Sequence, residues 1–298
     1  MSAVSDRIRA MFAEGDAARD AGLSTPEDVI RYDDIAYGSD PKWQVLDVYR
    51  PKSESGSLPV IISVHGGGWV YGDKEVYQYY CMNLAQRGFA VVNFTYRLAP
   101  EYKYPSSLED TNSVVSWVLE HGQEYGMDTD NIFAVGDSAG AHNLALYTEI
   151  LTNPEYAAEY SFKAPADFRF RAIALNCGAF HITIDNKADL TTMLMADYLP
   201  EAGSEKELEL ISAVKHVTEA FPPVFVMTCV DDFLKAQPSV FIPELIRNDI
   251  PHVFRFYGSK TNRLGHVFHC NIKTADAKLC NDEECDFFRR YISLKGSL

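Results

Sequence analysis

Apolar residues in this chain gather in short, β-branched runs separated by longer amphipathic stretches. Six runs predict strands: residues 59–64 (PVIISV), 89–96 (FAVVNFTY), 131–135 (NIFAV), 170–177 (FRAIALNC), 223–230 (PVFVMTCV) and 252–257 (HVFRFY). Their nearly unbroken apolar character suits strands covered on both faces. The stretches between them predict helices. Residues 77–87 end at Gly88, and residues 105–122 carry Leu108, Val115 and Val118 on one side. Residues 138–151 follow the third run at once, and residues 274–292 close the chain. Strand and helix in alternation, with short joins, predict an α/β fold: a central, mostly parallel sheet flanked by helices. Residues 45–49 add a short extended run stopped by Pro51. Near the start, Ile8, Met11 and Phe12 fall at helical spacing and predict a short amphipathic helix, and Thr25-Pro26-Glu27 reads as a helix start or a turn.

One long stretch breaks the alternation. Between the fourth and fifth core strands, residues 178–221 contain Phe180, Ile182, Ile184, Met193, Met195, Tyr198 and Leu199. An insertion at a strand's carboxyl end lies over the ligand-binding edge of such a sheet. The bland reading is a packing helix pair. The preferred one is a helical cap, built from residues 1–40 and 179–221, with Trp69, Met193, Met195 and Tyr198 lining the substrate pocket. No internal repeat is found, so residues 1–298 read as one domain.

Composition narrows the partners. The net charge of −15 argues against nucleic acid and anionic membrane. The longest uncharged stretch, residues 55–72, holds five glycines and a histidine, so stable membrane insertion is not expected. Asp6, Arg7 and Arg9 interrupt any secretory h-region. Six cysteines, two of them inside apolar runs, read as reduced thiols, and the expected location is the cytoplasm. Cys270, Cys280 and Cys285 with His269 are a poor zinc set because C-x₄-C is the wrong spacing; no metal or cofactor is expected. A homodimer is left open.

The chemistry sits at strand ends. Gly136-Asp137-Ser138-Ala139-Gly140 joins a β-branched strand to a helix, the setting of a nucleophile elbow. There the Ser138 hydroxyl stands above the sheet edge at a helix N-terminus, where the dipole favours a developing anion. His65-Gly66-Gly67-Gly68-Trp69 follows the first core strand. Its bare N–H groups can stabilise an oxyanion, so Gly67, Gly68 and Ala139 form the expected oxyanion hole. His65 reads as a brace for that loop rather than a base. A serine needs a base, and the base needs an orienting acid. Asp231 and Asp232 follow the fifth strand, and His266 and His269 follow the sixth, giving the order Ser, Asp, His. His121, His142, His181, His216 and His252 read as structural.

These markers, with Tyr96-Arg-Leu-Ala-Pro-Glu101, resemble the hormone-sensitive-lipase-like branch of the α/β-hydrolase esterases over residues 45–292. The resemblance implies an α/β-hydrolase fold and a serine carboxylesterase acting through an acyl-enzyme on esters with short acyl chains and simple alcohol or aryl leaving groups. It selects Asp232 and His266 as the partners of Ser138. It also makes the Tyr96–Glu101 segment architectural, with Arg97 paired to Glu101 or Asp110. Three positions depart from the pattern: Phe233 replaces the usual proline, Val267 the usual glycine, and Ala141-His142 a common Gly-Gly or Gly-Asn. An amidase, formamidase or peptidase on the same triad is the nearest rival. A non-catalytic ligand-binding homologue is the rival of another class.

Overall fold

The structure is a computed structural model that describes residues 2–184 and 190–293. Among the described residues eight strands form one sheet: β1 (Val29–Ala36), β2 (Val45–Pro51), β3 (Leu58–Val64), β4 (Ala90–Phe94), β5 (Met127–Asp137), β6 (Ile173–Asn176), β7 (Val224–Cys229) and β8 (His252–Tyr257), in the order β1-β2-β4-β3-β5-β6-β7-β8. The β1–β2 and β2–β4 pairs are antiparallel and all others are parallel. The helices are α1 (Ala3–Asp20), α2 (Lys74–Ala85), α3 (Ser106–His121), α4 (Ala139–Thr152), α5 (Pro154–Ala157), α6 (Leu190–Tyr198), α7 (Glu205–Leu210), α8 (Pro238–Arg247) and α9 (Ala275–Arg289).

Alternate residues of each strand serve opposite faces. Val60, Ile62 and Val64 of β3 join the core under α1, α3, α4, α6 and α8, while Ile61 joins the core under α2 and α9. Every residue of α4 is buried, which explains a helix so rich in Ala and Leu behind the sheet's centre.

Register positions the site. Val64 faces Gly136 across the β3–β5 ladder, so His65–Trp69 and Asp137–Ser138 leave the sheet side by side. The chain order also reverses at β3, where β4 lies to one side and β5 to the other. Such a switch point opens a crevice at the carboxyl ends of the strands.

The sequence pattern does not mark β1, α8 or the single turn of α5. β1 is an edge strand with Arg31, Asp33 and Asp34 in its length, and charged edges do not read as strands. The stretch 1–40 is therefore divided. α1 packs against α6, with the Ser5 hydroxyl donating to Asp197, whereas residues 29–36 belong to the sheet. Thr25-Pro26-Glu27 opens no helix and leads into β1. α8 begins on Pro238 and contains Pro243; a proline is tolerated at the first helical position, where no N–H partner is needed. Of the 179–221 insertion, α6, α7 and a short 3₁₀ turn (Ala213–Lys215) are described, and residues 185–189 lie outside the described residues.

Candidate active site

Ser138 stands between β5 and α4 with φ 52° and ψ −118°, a conformation that costs a non-glycine residue free energy. The tight turn requires its glycines. A Cβ on Gly140 would overlap the carbonyl oxygens of Val64 and His65, so β3 and α4 approach this closely only with glycine there. The Ser138 N–H donates to Asn176 O of β6 at 2.9 Å, tying the elbow to its neighbour strand. The Ser138 hydroxyl makes no capping bond to α4 and lines a cavity of about 880 Å³.

His266 lines the same cavity. Its Nδ1 lies 2.6 Å from Asp232 Oδ1. Since an ionised carboxylate only accepts, Nδ1 carries the proton and Nε2 is left as the basic nitrogen. Asp232 is buried, and burial alone would push its carboxyl up. The hydrogen bond from His266, with those from the Thr228 hydroxyl (2.7 Å) and the Leu234 N–H (2.8 Å), outweighs burial and holds it below the ordinary value. Asp231 is engaged elsewhere, in an ion pair with Arg263 and a backbone bridge to Gly265 that steadies the histidine loop. His269 is fully buried and stacked edge-on against Tyr80; burial pushes it down to about 3, so it stays neutral. The structure thus brings Ser138, Asp232 and His266 to one strand edge and leaves Asp231 and His269 outside the cavity lining.

The glycine loop forms the facing wall. Gly67, Gly68 and Ala139 line the cavity, and no backbone acceptor among the described residues takes their N–H groups. Gly67 has φ 116°, and a Cβ there would overlap the Tyr71 carbonyl. His65 sits behind the loop, stacked on Tyr96 at 4.0 Å, with Nδ1 donating to Gly66 O at 2.8 Å. Burial pushes His65 down to about 4, so it braces the loop as a neutral ring. A hydrogen-bond chain runs from the Gly66 N–H to Tyr77 Oη (3.0 Å) and from that hydroxyl to Asp137 Oδ2 (2.7 Å), linking the glycine loop to the elbow. Arg97 pairs with Asp110 and Glu109, and Glu101 is taken by Arg9 of α1. Arg9 also donates to Val70 O and Ala99 O, which fixes α1 to the glycine loop.

The pocket walls require a correction. Trp69 lines the cavity, but Met193, Met195 and Tyr198 do not. Helical phase is the reason: Leu190, Thr191 and Leu194 form the inward face of α6, while Met195 and Tyr198 face the core and Met193 faces solvent. Tyr198 instead stacks behind Trp69 at 4.9 Å. His142 supports the same indole, accepting from Trp69 Nε1 at 3.2 Å while its Nε2 donates to Ile211 O at 2.8 Å. That bridge between loop and cap accounts for the histidine after the elbow. His181 lines the cavity and contacts Ser212 Oγ through Nδ1 at 2.8 Å, so it is a wall residue as well as a structural one. Asp16, Arg19 and Tyr77 also reach the wall; no local motif marks them, because only the packing of α1 and α2 brings them there. Among the described residues, His269 and Cys270 cluster with Asp137, and Cys280 and Cys285 join no group able to hold a metal.

An eight-stranded sheet with this order, an elbow serine and a strand-end Asp–His pair define an α/β-hydrolase with the plan of a serine hydrolase. The chain belongs to the BD-FAE family, whose family model matches residues 46–242. It is 35% identical over 127 residues to Esterase LipC of Mycobacterium tuberculosis, covering 42% of this chain and 31% of that one. It is 30% identical over 202 residues to the probable carboxylic ester hydrolase LipM of the same organism, covering 65% and 46%. The matched segments span about a third to a half of those relatives' length. Among solved structures, inhibited Esterase B from Lactobacillus rhamnosis superposes with a TM-score of 0.86 at 26% identity, covering 97% of each chain. No helix among the described residues is long and apolar enough to cross a membrane.

Proposed function

We propose that the protein is a serine carboxylesterase that hydrolyses short-chain acyl esters through an acyl-enzyme. One observation carries the reading: an elbow serine held at positive φ shares a cavity with a histidine whose Nδ1 is fixed by a buried carboxylate. His266 Nε2 takes the proton as Ser138 attacks the ester carbonyl. Asp232 holds the imidazole tautomer and stabilises the imidazolium. The N–H groups of Gly67, Gly68 and Ala139 receive the oxyanion. His266 then protonates the leaving alcohol, and water repeats the attack on the acyl group. Relatives named as esterases support the ester as substrate. Leu194 and Ile182 on the cavity wall support an apolar acyl group. Six free, buried cysteines support a reducing compartment, the cytoplasm.

The test is a Ser138→Ala variant assayed on an aryl acetate, with fluorophosphonate labelling of the wild type. Turnover is expected to fall by about 10³-fold or more, and the wild type to label at Ser138. Near-wild-type turnover in the variant would refute the mechanism.

A further inference from the structure

We propose that Phe233 is a specificity-determining residue for the alcohol half of the ester: an aromatic wall that favours leaving alcohols bearing an aromatic ring. The proposal rests on the serine-esterase reading above and names a substrate class within it.

The chemistry of the triad locates the alcohol. His266 must come within hydrogen-bond reach of the leaving oxygen to protonate it. The carbon on that oxygen therefore passes close to the imidazole and to whatever packs on the imidazole. Phe233 packs there, with ring centroids 4.2 Å apart and planes tilted by 40°. It also lines the cavity.

Apolar side chains exposed singly are ordinary on a protein surface, but several that open onto one cavity mark a binding surface. Phe233 is 72% exposed, the most exposed large hydrophobic residue among the described residues. Two other exposed hydrophobics line the same cavity, Met11 of α1 at 54% and Leu190 of α6 at 52%. Three separate elements thus bring open apolar surface to one cavity, and only Phe233 presents an aromatic face beside the catalytic histidine.

The backbone that carries the ring is also held in place. Asp232 Oδ1 accepts from the Leu234 N–H at 2.8 Å, and the Lys235 N–H donates to Asp232 O at 3.2 Å, closing a tight turn with Phe233 inside it. Asp232 is itself anchored by Thr228 and His266. The ring is therefore carried on a turn fixed by the groups that orient the base, which sets it beside the imidazole where the leaving alcohol must pass. Aromatic rings prefer offset or edge-to-face partners beyond mere area burial, which a saturated ring of equal size cannot match.

The test compares benzyl acetate with cyclohexylmethyl acetate, which share an acyl group and differ in the aromaticity of a similarly sized alcohol. In Phe233→Leu, the ratio of kcat/KM for benzyl over cyclohexylmethyl acetate is expected to fall about 3- to 10-fold, the size of one aromatic contact, mainly through KM. Phe233→Tyr, which keeps the ring, is expected to retain the wild-type ratio. An unchanged ratio in Phe233→Leu overturns the proposal. Equal losses on both esters with a displaced pH profile also overturn it, because the ring then acts only through His266. Fluorophosphonate labelling of Phe233→Leu at the wild-type rate shows that the triad is intact, so a failed ratio then counts against Phe233 alone. A wild type that neither labels nor hydrolyses either ester sinks the serine-esterase reading, and this proposal with it.

Discussion

Glu284 offers a clean test of the buried electrostatics behind the sheet. It lies on α9, is fully buried, and lines no part of the cavity. Asn176 Nδ2 donates to one carboxylate oxygen at 2.6 Å, and the Tyr80 hydroxyl reaches the other at 3.3 Å. Burial pushes the carboxyl up from 4.5 to about 7, against the opposing pull of those two bonds. The folded chain therefore holds this proton more tightly than the unfolded chain does. Stability from this group is full below pH 4.5 and is lost as pH rises towards 7, because the unfolded carboxylate ionises freely while the folded one cannot. Above pH 7 the loss levels off at about 3 kcal/mol, the free energy equivalent of the raised pKa.

Glu284→Gln removes the ionisation and keeps the shape. The amide oxygen still accepts from Asn176, and the amide N–H₂ takes the place of the oxygen that faces Tyr80, whose hydroxyl can accept in turn. The variant is expected to be about 1 kcal/mol more stable than wild type at pH 5 and about 3 kcal/mol more stable at pH 8. Urea unfolding at the two pH values measures both differences, with m unchanged as the check on two-state behaviour. A gap that does not widen with pH, or a variant less stable at pH 8 than at pH 5 relative to wild type, would refute the reasoning. Esterase activity is expected to be unaltered.

Four further outcomes follow from the site. His266→Ala is expected to lose turnover on an aryl acetate by about 10³-fold or more, while His269→Ala loses mainly thermal stability; a greater activity loss in the His269 variant would reverse the assignment of the base. Asp232→Asn is expected to lower kcat by about 10³- to 10⁴-fold because the imidazole tautomer is no longer fixed, and Asp231→Asn to cost far less. Val267 has φ 52°, where a β-branched residue is strained by about 1–2 kcal/mol, so Val267→Gly should stay within about 1 kcal/mol of wild type in urea. A loss above about 3 kcal/mol there would show that side-chain packing outweighs the relieved strain. Arg9→Ala removes the ties to Val70, Ala99 and Glu101, and hydrogen exchange of the α1 amides is expected to quicken; unchanged protection would mean that α1 is held by its apolar face alone.

Legibility in the sequence followed how local each determinant is. The central strands could be read because burial on both faces leaves a continuous apolar run, as in residues 60–64 of β3. The elbow and the glycine loop could be read because their constraints act within a few residues: Gly140 must clear Val64 O, and Gly67 must clear Tyr71 O. β1 was opaque because an edge strand carries charge by necessity, and α8 because its two prolines look like breaks. The pocket wall is legible as hydrophobic, but its face of α6 is not, since Met193, Met195, Leu190 and Leu194 are equally apolar and only the packing of α1 against α6 sets the phase. The positions that depart from the family pattern show the same division. Val267 keeps the left-handed backbone that glycine would adopt freely, so backbone geometry is held while the side chain changes. His142 exchanges a small residue for a bridge from Trp69 to Ile211. Phe233 exchanges a proline for an exposed ring on the histidine. Ser138, Trp69, Cys177 and Val267, all in segments that follow core strands, have positive φ, and backbone strain of this kind clusters at functional sites. Of these departures, Val267 and Phe233 line the cavity and His142 bridges the glycine loop to the cap. This scaffold can therefore keep one chemistry while changing what it admits, and Phe233 is the position at which such a change in the alcohol would be written.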